Sequence, residues 1–505
     1  MKPEIFQKPK KAVIINCPYS SNTDSPSLGL GYLNSSLRKH GFQTTIIDAN
    51  IELFSRHKRK FGKILHENEL LTWDQKKDFY KIIYDQNRNF NYQIIKKIRE
   101  NNPDVICFSI HRSNLLYTNE IIKEIRKVNH EVFVVCGGPS TKLVTEIRHM
   151  QHENVNLFID TNDLDKTALR LREILENKKV EDVKVIEGMR ILSIKNNHNY
   201  LNKRPFPDFE GFELNKYGQK KIPFITSEGC IRKCRFCDEY QYRETFISRK
   251  GKNTAEEIKS HVKNYGVQVF EQNDLACNSN IKELKNFCDE VIRKNLDISW
   301  SSNALIRKEM TKELLTKMKS AGCNWLRYGL ESGCNKTLTN MRKGFTKKTA
   351  EEVIRNTHRA KIGAHINIIV GFPEETEEDF QETLDFLSRN KQHISNVSNV
   401  FTYMLSPNSD IIKHKKKYGI TFPDNENGFF LWKDDQGNNY ELREKRLKRT
   451  MNFLKKENIN HAGINAVNNK DVLIHDGRQD NKVLYPIMTI INKLNKATKY
   501  VSERL

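Results

Sequence analysis

Apolar residues along the first ~180 positions fall into short continuous runs separated by stretches with helical spacing, the pattern of buried strands alternating with helices. "KAVIINCP" (11–18) reads as a strand, "LGLGYLNSSLRKHG" (28–41) as a helix closed by Gly41, and "TTIIDAN" (44–50) as a second strand. A charged insertion with aromatic residues (51–100) interrupts the alternation. It resumes with strand "PDVICFSIH" (103–111), helix 115–128, strand "EVFVVCGGP" (131–139), helix 141–150, strand "NLFID" (156–160) and helix 165–177. Such alternation predicts an α/β, doubly wound parallel sheet of the flavodoxin-like kind. Ligands of these sheets sit beyond the carboxyl ends of the strands, which selects loops 17–29, 109–114, 136–141 and 160–165. Residues 181–221, including "RPFPDFEGFELNKYGQKK", read as an extended linker.

From residue 222 six strand signals follow in series: "PFITSEG" (223–229), "VQVFEQND" (267–274), "ISWSSNAL" (298–305), "NWLRYGLES" (324–332), "AHINIIVGFP" (364–373) and "NVSNVFTYMLSP" (396–407). The helices between them often open with threonine followed by acidic residues, a capping signature. Six such units predict a partial (β/α)6 barrel of the TIM type over 222–407, with its site at the C-terminal rim of the strands. Residues 408–505 predict a hairpin near Trp432 and basic amphipathic helices at 428–459 and 484–505, a mostly helical extension placed to cap a substrate site. Tyr403, Trp432 and the 51–100 insertion are further candidates to line that site.

Composition then narrows the classes. A chain of 505 residues has room for two to four domains. Its ten cysteines are spread widely, several within apolar runs, as in a reduced intracellular protein. Neither a signal-like apolar segment nor a membrane-length run is present, so a cytoplasmic location is expected. The formal charge of +22 is dispersed over nearly every helix and accompanies no RNA-binding signature, so a nucleic-acid partner is not expected.

One segment carries chemistry. "TSEGCIRKCRFCDEY" (226–240) sets Cys230, Cys234 and Cys237 in the loop after the first barrel strand. Thiolates suit zinc or an iron–sulfur cluster, but structural zinc takes four closed ligands and the next cysteine, Cys277, lies in the following unit. A cubane held by three cysteines leaves one iron open for a substrate or cofactor.

This motif within such a barrel resembles the radical S-adenosylmethionine (SAM) enzymes. The resemblance implies a [4Fe–4S] cluster on Cys230, Cys234 and Cys237, reductive cleavage of SAM to a 5′-deoxyadenosyl radical, and an electron donor such as flavodoxin or ferredoxin. It also implies a SAM pocket drawn from Phe236, Glu271, Asn273, Asp274, Ser302, Asn303, Glu331, Ser332, Asn367 and Gly371. The N-terminal stretches "PSLGLGYLNSSLRKHGFQTTIIDAN", "PDVICFSIHRSN" and "GGPST" resemble the cobalamin-binding domain that precedes many of these barrels, although "DTND" (160–163) departs from the family's turn there. That resemblance nominates Ser109, Arg112, Asn114, Gly137, Gly138, Ser140 and Thr141 for cobalamin. The implied reaction is cobalamin-dependent methylation of an unactivated carbon on a small-molecule or lipid-like substrate. Alternatives are a radical cyclase, oxidase or rearranging enzyme with a vestigial cobalamin fold, or a tRNA methylthiotransferase. The last needs a second cysteine set, whereas Cys17, Cys107 and Cys136 fall in or beside predicted buried strands.

Overall fold

The computed structural model describes residues 9–19, 24–56, 79–142, 147–148, 150, 152–194, 199–237, 239, 245–406, 408–422 and 431–461. It divides into two units, 1–224 with 260–269, and 225–259 with 270–505. No helix among the described residues is long and apolar enough to cross a membrane.

The first unit is built on strands β1 (Lys10–Asn16), β2 (Phe42–Asp48), β3 (Val105–Ser109), β4 (Phe133–Gly137), β5 (Leu157–Ile159), β6 (Val183–Ile186) and β7 (Met189–Leu192), in the order β2-β1-β3-β4-β5-β7-β6. All neighbours are parallel except the terminal β6–β7 pair. The order reverses between β1 and β3, which makes the crevice beyond their carboxyl ends the topological switch point. The strands are apolar on both faces because helices cover both.

Two expectations change here. The 51–100 insertion contributes a helical layer: Ala49–Arg56 and Arg88–Asn101 are helices, and Phe79, Phe90, Ile94 and Ile98 join the core of the sheet. The charges of "YQIIKKIRE" occupy the outer face of that helix, which is why the segment read as an insertion. Residues 181–221 also pack within the first unit. They supply β6 and β7, and Asn34 of helix Leu28–Lys39 donates to the carbonyls of Asp208 (3.0 Å) and Glu210 (3.3 Å), with Phe209 buried beside it. Aromatic residues among prolines gave the segment a linker's composition while the aromatics themselves are core. Residues 143–146 and 149 of the expected helix 141–150 lie outside the described residues, and Pro139–Lys142 is a 3-10 turn.

In the second region, strands β8 (Lys221–Phe224), β11 (Val269–Gln272), β12 (Ser299–Ala304), β13 (Cys323–Glu331), β14 (Gly363–Val370) and β15 (Asn396–Thr402) follow one another in chain order across a six-stranded sheet. The sheet ends at β8 and β15 without closing, as a partial barrel must. A short antiparallel ribbon, β9 (Ser227–Glu228) with β10 (Ile247–Ser248), brackets the cysteine loop. Thr311, Thr346 and Thr376 each accept a backbone N–H at the start of the following helix, contacts worth about 1 kcal/mol each.

Burial alternates along β12, β14 and the Trp325–Leu330 stretch of β13. Trp300 packs edge-on against Phe287 of helix Ile281–Arg293, and the Tyr328 hydroxyl meets that of Thr357 in helix Lys347–Arg359. The period of two therefore turns Ser301, Asn303, Arg327, Gly329, His365 and Asn367 to the opposite, helix-free face, which is the lumen. Trp325 and His365 stack there at 4.9 Å, with the Arg327 guanidinium over the indole.

Helix Tyr440–Lys456 completes this unit. Tyr403 and Trp432, nominated as site-lining, are instead core residues: both are buried, and the indole N–H donates to the Tyr403 carbonyl at 3.0 Å. Thr421 and Lys433 form an isolated antiparallel bridge beside Trp432, while residues 423–430 of the expected hairpin region and helix 484–505 lie outside the described residues.

Candidate functional site

The cysteine loop is anchored before it is filled. Asp274, beyond the end of β11, accepts from the Thr226 amide (2.7 Å) and the Ser227 hydroxyl (2.6 Å), fixing the chain just upstream of Cys230. Burial raises the Asp274 carboxyl even though Ser227 and Thr226 donate to it. Downstream, the Arg235 amide donates to Met341 O (3.1 Å) and its guanidinium to Asn340 O (3.1 Å), while Arg232 reaches Gly344 O (3.3 Å). Segment 340–345 thus clamps the loop from the far side. Within it, the Arg232 amide points at Cys230 Sγ (3.4 Å), and the Cys237 amide donates to Cys234 O (3.2 Å).

None of the ten cysteines is in a disulfide; seven are buried, and only Cys230, Cys234 and Cys237 are half-exposed. Among the described residues no three His, Cys, Asp or Glu side chains converge to hold one metal ion. Three thiolates without a fourth ligand leave one corner of a cubane open, whereas structural zinc takes four closed ligands. Burial pushes the Cys234 thiol up, with Lys343 pulling the other way. The donor set therefore fits a [4Fe–4S] cluster.

Beside the thiols lies a pair that the sequence did not reveal. Lys343 Nζ is 3.2 Å from Glu331 Oε1, with side-chain exposures of 8% and 10%. Its ammonium also stands 5.4 Å from the centre of the Phe236 ring. Burial alone would lower Lys343, yet Glu331 and Cys234 lift it above the ordinary lysine value. Glu331 has φ of 68° at a register shift between Gly329 and Glu331, a bulge that re-aims its side chain. "NMRKGF" carries no pattern that would single out its lysine.

The other nominated positions divide. Phe236, Glu271, Asn303 and Asn367 are half-buried and Asn273 is exposed. Asp274, Ser302 and Ser332 are buried in the wall: Ser302 Oγ donates to the Asn303 carbonyl, and Ser332 Oγ meets Thr383 Oγ1 at 3.0 Å. Asn367 accepts from Asn399 at 2.9 Å. Gly371, at φ of 75°, leaves space that the Arg443 stem fills, and its amide donates to Glu375 Oε2 at 2.7 Å. Glu375 is in turn paired with Arg446 at 3.0 Å.

In the first unit, the loops after β3 and β4 are pre-shaped. Gly138 has φ of 120°, and a Cβ there would meet Ile110 O at 2.7 Å, so only glycine fits. Thr141 donates to Gly138 O (2.7 Å), and Asn114 donates to Ser109 O (3.0 Å), so these two hold the loops in shape. Ser140 is buried, Ser109 and Gly137 are half-buried, and Arg112 and Gly138 are exposed. His111 stacks on Tyr19 at 4.9 Å and is lowered to about 4 by burial, a neutral ring at the switch point. Asn16 Oδ1, at the end of β1, is buried without a donor. An open glycine loop, an exposed arginine and an orphaned acceptor at one sheet edge suit a large polar ligand such as a corrinoid.

Residues 224–387 match the family model of the radical SAM superfamily. Residues 224–387 carry a radical SAM domain. That family implies a [4Fe–4S] cluster, which the three-thiolate donor set fits, and SAM. Among curated proteins, the chain is 23% identical to an uncharacterized methyltransferase of Pyrococcus horikoshii, over 59% of this chain and 66% of that protein. It is 29% identical to the anaerobic magnesium-protoporphyrin IX monomethyl ester cyclase of Cereibacter sphaeroides, over 58% of this chain and 50% of that protein. The match thus spans between half and two thirds of these relatives' lengths. Among solved structures, the radical SAM methyltransferase TsrM of Kitasatospora setae, with cobalamin and a [4Fe–4S] cluster bound, has a TM-score of 0.62 at 14% identity, over 85% of this chain and 83% of that one. The radical SAM domain and the flavodoxin-type unit before it therefore both have counterparts of like fold.

Proposed function

We propose that this protein is a radical SAM enzyme that methylates an unactivated carbon of a small-molecule or lipid-like substrate with the help of cobalamin. The observation that carries the reading is the pairing, in one chain, of a three-cysteine loop on an open barrel with a flavodoxin-type sheet whose switch-point loops are shaped around Gly138. When bound, the cluster with SAM supplies a 5′-deoxyadenosyl radical, and cobalamin supplies the methyl group.

The chain's own residues bind and orient. Cys230, Cys234 and Cys237 hold the cluster and leave one corner open. Phe236 offers an aromatic face beside them, and Asn303 and Asn367 present amides on the lumen wall. Glu331 is aimed by its bulge at the same space. Glu331→Ala should weaken SAM binding about tenfold or more, the loss of one charged hydrogen bond, while iron and sulfide stay at wild-type content. Equilibrium binding with parallel iron analysis checks this. Unchanged affinity would make Glu331 a wall residue only.

Methyl transfer through cobalamin consumes one SAM to restore the methyl donor and another to make the radical. S-adenosylhomocysteine and 5′-deoxyadenosine should both accumulate, and label from methyl-deuterated SAM should enter product. Protein that loses cobalamin on gel filtration and forms 5′-deoxyadenosine as its sole nucleoside would support a cyclase or oxidase, the reaction type named for the Cereibacter relative. A methylthiotransferase is disfavoured by Cys17, Cys107 and Cys136. All three are buried within the first unit, and burial pushes Cys17 and Cys107 up to about 12, away from the thiolate a second cluster requires.

A further inference from the structure

The Glu331–Lys343 pair has more to do than hold the wall together. A buried ion pair is seldom worth more to stability than an apolar pair of the same volume, since desolvating two charges offsets their attraction. This pair is also held at a backbone conformation that glutamate adopts only under constraint, φ of 68°. Its place gives a reason. The Lys343 ammonium lies over the ring of Phe236, the residue next to Cys237 in the cysteine loop, and it acts electrostatically on Cys234 and Cys237. Glu331 acts on Cys234 with the opposite sign. Arg232, the other cation acting on Cys234, is turned to the Gly344 carbonyl and is less buried.

A [4Fe–4S] cluster on three thiolates carries net negative charge, and one-electron reduction adds another. Reduction potentials of such clusters follow net charge, hydrogen bonds to sulfur and solvent exposure. A charge held at 8% exposure is poorly screened by water or salt, so a fixed lysine beside the thiolates favours the reduced state and a fixed glutamate opposes it. We propose that Glu331 and Lys343 form an oriented charge pair that sets how readily the cluster accepts its electron, Lys343 favouring reduction and Glu331 restraining it. The step is the transfer of one electron from a low-potential one-electron donor to the oxidised cluster; no bond forms or breaks. Both are positioning residues for this role, which rests on the three-cysteine reading and is independent of the substrate.

The test is a potentiometric titration of the reconstituted full-length protein without SAM, followed by the electron paramagnetic resonance signal of the reduced cluster. Lys343→Met should be harder to reduce: where wild type is half reduced, its reduced-to-oxidised ratio should be about tenfold lower, ~59 mV for one electron. Glu331→Gln should shift in the opposite direction, and Lys343→Arg should stay near wild type. A merely structural pair would not give shifts of opposite sign. Should Lys343→Met fail to retain its cluster, Glu331→Gln decides alone. A midpoint unchanged or lowered in that variant at full cluster content overturns the proposal. Wild-type protein that assembles no cluster would instead overturn the three-cysteine reading.

Discussion

Alanine at Cys230, Cys234 or Cys237 should each abolish 5′-deoxyadenosine formation, while Cys288→Ala should leave it near wild type. The three sulfurs are the half-exposed ones, on a loop fixed at both ends by Asp274 and by segment 340–345. Each corner of the cluster has no spare ligand among the described residues, because every other cysteine is buried. Cys288, inside helix Ile281–Arg293, is pushed up to about 12 by burial and behaves as a small apolar side chain. Iron, sulfide and nucleoside assays on the four variants separate the two groups. Retained nucleoside formation in any of the three loop variants would remove the cluster assignment.

The second large effect lies outside the site. At pH well above 7, Arg446→Met should cost about 3–5 kcal/mol of stability, a substantial share of a domain's usual margin, because it strands the Glu375 carboxylate in a buried position. Glu375 and Arg446 side chains are 1% and 3% exposed. Burial raises Glu375 from 4.5 to about 7 although Arg446 and the Gly371 amide pull it down. A carboxyl whose folded pKa lies above its unfolded value contributes stability that is fully present below 4.5 and lost as pH rises through about 7. Without Arg446 the loss should be larger and extend to higher pH. Adding Glu375→Gln, which still accepts from Gly371 but cannot ionise, should recover most of the stability and flatten that dependence. Denaturant titrations at several pH values check both. An Arg446→Met protein as stable as wild type would show that the carboxylate finds another partner.

Local signals in the sequence carried most of the architecture. Short apolar runs located β1, β3 and β4, and threonines ahead of acidic residues located helix starts, because strand period and capping are decided within a few residues. The cysteine spacing located the cluster loop for the same reason. What stayed hidden depends on long-range contact. Lys343 meets Glu331 only through the bulge at the end of β13, and Arg443 meets Gly371 only because a helix seventy residues later returns to the sheet. Composition also misled: Phe209 amid prolines looked like linker, and the lysines of 88–101 obscured a helix whose apolar side is core. Asp274, Ser302 and Ser332 show the limit of reading strand ends as ligands, since a polar residue there as readily braces its neighbour.

The manner in which helix Tyr440–Lys456 grips the turn after β14 bears on how the protein can be divided. The family match stops at 387, before β15, yet Arg443 fills the hollow at Gly371, Asn438 donates to Gly371 O at 3.0 Å, and Arg446 neutralises Glu375. A fragment cut at the edge of the matched segment would release that turn and expose Phe372 and Phe380 to water. The segment that the family model matches is thus smaller than the unit that packs around it, and a chimera that borrows this barrel should borrow residues 388–461 with it.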